Sequence, residues 1–257
     1  MGTRMNFTIT ALDAPIAALG ESPLWCPEEA ILYWVDIDGK TIHRHDPITG
    51  THGVRSIDGR PGAIALSSTL GRLLVASEHR LLELDWGTGV VTLFADLEAA
   101  STGNRLNDGC CDSAGRFIVG SMYADTTAGH TTGTLHRIHH SGEVETLRTD
   151  IGVTNGLAFD VKRNRMYFAD TPTERVLVFD YEPSTGTMSN QRLFFDYHEH
   201  PGKPDGACVD ADGCYWSASV YGWSLLRIKP DGEVDYRVEL PLQKPSMPCF
   251  GGKHLDT

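Results

Sequence analysis

Residues 155–186 read NGLAFDVKRNRMYFADTPTERVLVFDYEPSTG. The stretch holds an Asn-Gly start, an apolar run, a polar turn, a second apolar run, and a third that ends in a Ser-Thr-Gly turn. Runs this short, separated by turn residues, predict strands rather than helices. The same plan recurs on both sides. Downstream, residues 205–232 read DGACVDADGCYWSASVYGWSLLRIKPDG. Upstream, DGCCDSAGRFIVGSM (108–122) continues into GTLHRIHHSG (133–142), AIALSSTLGRLLVASEHRLLELDWGTG covers 63–89, and SPLWCPEEAILYWVDIDGKTIHRHDPITG covers 22–50. The five units end at Gly50, Gly89, Gly142, Gly186 and Gly232. Their mean spacing is about 45 residues, the size of one four-stranded propeller blade. A β-sandwich does not require such a period.

The expected fold is therefore an all-β, six-bladed β-propeller formed by a single domain over residues 1–257. Five units are plain, and a sixth is expected to begin after Gly232 with VDYRVELPL as a strand and PCFGGKHLDT as the start of the next. The chain stops there, so the last blade is expected to be incomplete at the C-terminus, with a strand near residues 6–12 supplying part of it. Trp25, Trp34, Trp86 and Trp216 are expected in the core between blades.

Composition narrows the function. The chain has 257 residues, a formal charge of −12, 40% hydrophobic and 22% charged residues. A field of that sign repels phosphate backbones, and there is no basic run, so nucleic acid is not an expected partner. No window of ~18 apolar residues exists, so no membrane span is expected. The N-terminus lacks an apolar signal core, which predicts a cytoplasmic protein whose six cysteines are reduced thiols. A monomer or weak dimer is expected. No G-x-S-x-G elbow or H-E-x-x-H motif occurs, which leaves serine-nucleophile and zincin chemistry unsupported. His136, His139 and His140 are expected in solvent.

A propeller brings the starts of its inner strands around one axis. Just before those strands stand Gly20-Glu21-Ser22-Pro23, Arg60-Pro61-Gly62, Asn104 through Gly109, Thr154-Asn155-Gly156 and Lys203-Pro204-Asp205-Gly206. Glu21, Asn107, Asn155 and Asp205 thus fall at equivalent blade positions. Two carboxylates and a carboxamide make an oxygen-donor set suited to Ca²⁺, Mg²⁺ or Mn²⁺. Zinc and Fe²⁺ stay open, since two carboxylates can hold either. Against this stands the commonest use of Asn-Gly and Asp-Gly, which is simply to form turns. Asp108 reads as a turn or supporting residue.

These residues carry a resemblance. GESPLW from Gly20, NRLNDG from Asn104, TNGLAFD from Thr154, KPDGACVDADGCYW from Lys203 and PCFGG from Pro248 are similar to motifs of the senescence marker protein (regucalcin), gluconolactonase and luciferin-regenerating enzyme family of six-bladed propellers. The resemblance implies one divalent metal ion held by Glu21, Asn155 and Asp205, with Asp205 doubling as acid/base. It implies Arg105 as a substrate-binding residue and Asn107 beside metal or substrate. Tyr123, after the strand FIVGSM, is a further candidate for substrate contact. The expected activity is metal-dependent hydrolysis of a small sugar lactone by metal-polarised attack of water. The alternatives are phosphotriester or aryl-ester hydrolysis on the same fold, or a non-catalytic calcium-binding propeller.

Overall fold

The structure, a computed structural model, describes residues 7–99 and 102–257. Among these, twenty strands form five antiparallel four-stranded sheets, each in simple sequence order. Blade one is β1 (Gly20–Cys26), β2 (Ile31–Asp36), β3 (Thr41–His45) and β4 (His52–Ser56). Blade two is β5 (Pro61–Leu66), β6 (Arg72–Ser77), β7 (Arg80–Asp85) and β8 (Val91–Asp96). Blade three is β9 (Asn104–Cys111), β10 (Phe117–Tyr123), β11 (Gly133–Ile138) and β12 (Val144–Ile151). Blade four is β13 (Thr154–Asp160), β14 (Arg165–Asp170), β15 (Arg175–Glu182) and β16 (Thr187–Asp196). Blade five is β17 (Lys203–Val209), β18 (Tyr215–Val220), β19 (Ser224–Ile228) and β20 (Val234–Glu239).

The first strands pack in succession, β1 on β5, β5 on β9, β9 on β13 and β13 on β17, which identifies them as the inner ring of a propeller. The five repeat glycines all lie in the turn between third and fourth strands, each with φ between +71° and +91°. Because both faces of a blade are covered, neighbouring residues of one strand serve different cores. Phe117 and Val119 join Leu106 and Leu81 between blades two and three, while Ile118 joins Leu157 and Phe168 between blades three and four. Tyr33, Val35, Ile64 and Val75 fill the first interface, and Tyr167, Tyr197, Tyr215 and Leu226 the last. Each such side chain contributes roughly 1.5–3 kcal/mol on burial. Tyrosines and phenylalanines are the fully buried large rings; Trp86 packs against the core between blades one and two as expected, but it, Trp25, Trp34 and Trp216 all keep part of their surface exposed.

The expectation of six blades is not met: five are formed. VDYRVELPL supplies β20, the outermost strand of blade five, because its register follows β19. Residues 7–12 form no strand, and neither does the chain after Glu239, where Pro241, Pro245 and Pro248 remove ladder donors. This last stretch instead fills the seam between blades five and one. Gly206 N donates to Ser246 O at 2.7 Å, and Ser246 Oγ donates to Gly20 O at 2.6 Å. Further along, Gly251 lies against the Trp25 ring and Phe250 meets Trp216 edge-on. Ser246 beside Gly20 and Gly251 beside Trp25 show that the segment runs parallel to β1.

No helix among the described residues is long and apolar enough to cross a membrane. All six cysteines are free.

Candidate functional site

Every inner strand breaks register at the same place. The shifts fall between Glu21 and Leu24, Pro61 and Ala63, Leu106 and Gly109, Asn155 and Ala158, and Pro204 and Ala207. In four of them two residues oppose one on the partner strand, the signature of a β-bulge, which bends the strand and re-aims a side chain. Glu21 and Asn155 immediately precede the doubled pair; Asn107 and Asp205 are its first members. The first residue after Glu21 and after Asn155 is left-handed: Ser22 at φ +48° and Gly156 at φ +62°. The Asn-Gly and Asp-Gly pairs are therefore strand bulges rather than hairpin turns.

The entries to these strands are pinned. Asp36 accepts from Ala18 N and Leu19 N at 2.9 and 3.0 Å, and Asp170 accepts from Gly152 N and Val153 N at 3.1 and 2.9 Å. Glu78 accepts from Arg60 N at 3.0 Å and pairs with the Arg60 guanidinium. All three carboxylates follow or end the second strand of their blade, a recurrence the sequence displays in WVDIDG, YFADTP and VASEHR.

A hydrogen-bonded chain then crosses three blades. Arg105 Nη1 donates to Asn107 Oδ1 at 2.7 Å and to Leu106 O at 3.0 Å. Asn107 Nδ2 donates to Asn155 Oδ1 at 3.1 Å and to Thr154 O at 2.8 Å. Asn155 Nδ2 donates to Thr171 Oγ1, which donates to Pro204 O, each at 2.8 Å. Asp205 follows Pro204. The chain fixes the Asn155 amide so that its oxygen, with one lone pair used by Asn107, keeps a second for another partner. Thr171 was not foreseen; it belongs to the hairpin after β14, and nothing in its local sequence marks it.

Three carboxyls gather beside this chain. Burial pushes the Glu21 carboxyl well above its usual range, and the charges of Asp205 and Asp108 add to the rise. Asp205 is pushed up to about 8, by burial first and by Asp108 second. Asp108 is raised to about 6 by burial, against the pull of backbone N–H groups; its Oδ2 accepts from Leu157 N at 2.9 Å, the supporting position expected. The Arg105 guanidinium, 8% exposed, is lowered by burial and by Arg60, while Glu21 among others draws it back up. Neither Glu21 nor Asp205 forms an ion pair among the described residues, and the Glu21 side chain accepts only from Ser22 N, at 3.3 Å.

Among the described residues no three His, Cys, Asp or Glu side chains are arranged to hold a metal ion. The expected set has only two such residues, with a carboxamide as third, so waters would have to complete a cation's shell. Carboxylates that form no ion pair among the described residues, on strands whose neighbour β13 carries an amide oxygen with a spare lone pair, nevertheless have the donor chemistry of a hard oxygen-preferring cation site. Tyr123 forms no hydrogen bond with this group among the described residues. It ends β10 opposite Asn104, with its ring edge-on to His130 on the rim. His136, expected in solvent, is buried and hydrogen-bonded to Thr134 and Glu98.

Known proteins share this architecture. A pentonolactonase of Haloferax volcanii is 33% identical over 254 residues, 97% of this chain and 83% of that protein. A 6-deoxy-6-sulfogluconolactonase of Pseudomonas putida is 33% identical over 98% of this chain and 86% of its own length. The crystal structure of a calcium-binding protein, regucalcin, from Agrobacterium tumefaciens superposes with a TM-score of 0.89 at 29% identity, over 95% of this chain and 82% of that one. Residues 19–257 match the family model described as the SMP-30/Gluconolactonase/LRE-like region, and the chain belongs to that family.

Proposed function

We propose that the protein is a sugar lactonase that hydrolyses a small aldonolactone, with one divalent cation held by Glu21, Asn155 and Asp205. One observation carries the reading: the half-buried Glu21 and Asp205 carboxyls, from β1 and β17, are both raised by burial, the charge of Asp205 raises Glu21 further, and neither forms an ion pair among the described residues, Arg105 acting on them only at longer range. The relatives named as lactonases support the substrate class.

A lactone is a cyclic ester, and its hydrolysis passes through a tetrahedral oxyanion. A divalent cation, when bound, supplies Lewis acidity at the lactone carbonyl. Arg105, held by Asn107, presents donors to the sugar hydroxyls and to the developing negative charge. Asp205 takes a proton from the attacking water at a carboxylate oxygen. The bond from carbonyl carbon to ring oxygen breaks, and Asp205 returns the proton to that oxygen, which leaves as a hydroxyl of the open hydroxy acid. Asn107 and Asn155 keep both amides oriented through the turnover.

The test uses glucono-, galactono-, xylono- and arabinonolactone with metal-stripped protein reloaded with Ca²⁺, Zn²⁺, Mn²⁺, Mg²⁺ or Fe²⁺. The parent protein is expected to turn over at least one lactone only when reloaded. Asp205→Asn is expected to lose about 10²- to 10⁴-fold in kcat while remaining folded. Turnover retained in that variant would remove Asp205 from the mechanism, and cation binding without hydrolysis of any ester would leave a binding protein.

A further inference from the structure

The loop from Ala124 to Thr132 joins β10 to β11 at the end of blade three where β9 begins, and is anchored at both ends to the residues that precede Arg105. Ala124 N donates to Gly103 O at 3.0 Å. At the other end, Asn104 Nδ2 donates to Thr132 O at 2.9 Å while Thr132 Oγ1 donates to Asn104 Oδ1 at 2.7 Å. The second hydrogen of Asn104 Nδ2 goes to Glu98 Oε2 at 2.9 Å. Reversing the amide would set its oxygen against two acceptors, so the network admits one orientation.

Glu98 is itself fixed. Its side chain is 6% exposed and accepts from Ser121, Thr134 and His136 as well as Asn104. Burial alone would raise its carboxyl, yet these hydrogen bonds hold it down at about 2. The loop has its own bracing. Asp125 caps the short turn at Thr126–Ala128 by accepting from Thr127 N, and Tyr123 packs over Gly103, where a Cβ would come within 2.6 Å of the ring.

We propose that Asn104, clamped by Glu98, is a positioning residue that holds the 124–132 loop against the strand carrying Arg105, and thereby sets which lactones the mouth admits. Only the final clause rests on the lactonase reading. Asn104 touches no reacting atom; it acts by fixing the distance between the loop and the guanidinium.

Asn104→Asp places a second carboxylate against Glu98 and removes both amide donors. Adding Glu98→Gln restores a donor between the two positions. Hydrogen exchange of the 124–132 amides, which needs no substrate, is expected to speed up about tenfold in Asn104→Asp, with blade-core amides unchanged. On the lactone panel KM is expected to rise about tenfold, unequally between lactones, with kcat within about threefold of the parent. The double variant is expected to recover only part of each change, because Thr132 O still lacks its donor. Asn104→Ser, which keeps a donor and an acceptor, replaces the first variant if that one does not fold. Loop exchange unchanged in a folded variant overturns the anchoring. A loosened loop with KM unchanged across the panel overturns the selectivity. A parent protein that opens no lactone overturns the selectivity clause together with the lactonase reading, and exchange then decides the anchoring alone.

Discussion

Glu21, Asp108 and Asp205 are the residues whose protonation decides what the site holds. All three carboxyls lie above their ordinary range in the cation-free protein, so the folded chain binds protons that the unfolded chain has already released. Their contribution to stability is therefore fully present below the unfolded pKa near 4 and is lost as pH rises through the folded values of about 6 and about 8, whereas carboxylates held low, such as Glu98, act in the opposite sense only at more acid pH. Thermal melts of the chelated protein are expected to show a falling Tm between pH 5 and 8. The increment added by Ca²⁺ should grow over the same interval, because a cation favours the ionised forms; an increment that does not change with pH would sink this account. Glu21, Asn107, Asn155 and Asp205 were legible in the sequence because each stands at the start of an inner strand, where repeat phase alone locates it. Thr171, Glu78 and Glu98 were not, because their roles depend on which side chains meet across blades. Repeat spacing carries no such information.

At the scale of the strand, the recurring bulge turns a repeat of structure into a site. Flat strands would send alternate side chains squarely into the two blade interfaces; doubling a residue in each inner strand re-aims those at its start. The Asn155-Gly156 pair shows why this step was hidden. Asn-Gly between apolar runs reads equally as a hairpin turn, and only pairing with β14 reveals a bulge within a continuous strand. The glycine itself has a specific duty: φ is +62°, and a Cβ would lie 2.3 Å from the Tyr215 hydroxyl, which donates to Gly156 O at 2.9 Å. Gly156→Ala is therefore expected to cost about 2–4 kcal/mol, combining backbone strain with a displaced tyrosine. Chemical denaturation measures it. A loss below about 1 kcal/mol would mean that the bulge relaxes freely.

For the whole molecule, the phase of the repeat was readable and the count was not. The same glycines that gave the period lie between third and fourth strands, so the run after Gly232 had to complete blade five rather than open a sixth. The segment beyond Glu239 bridges blades five and one by contact instead of by a further sheet. Glu21 and Asp205 lie on either side of that seam, so a cation held by both, as proposed, would link its binding to seam integrity. Ser246→Ala removes the hydrogen bond to Gly20 O and is expected to weaken cation binding about three- to tenfold, with a smaller change in Tm when the cation is absent. Calorimetric titration of the stripped protein reads the first quantity directly, and equal affinity in parent and variant would uncouple the two. The leading residues reach the same junction, with Phe7 against Trp216 and Tyr236, and Leu12 lining one groove together with Trp34 and Met247. The junction is joined by few backbone ladder bonds, so local opening is expected there before any four-stranded blade unravels.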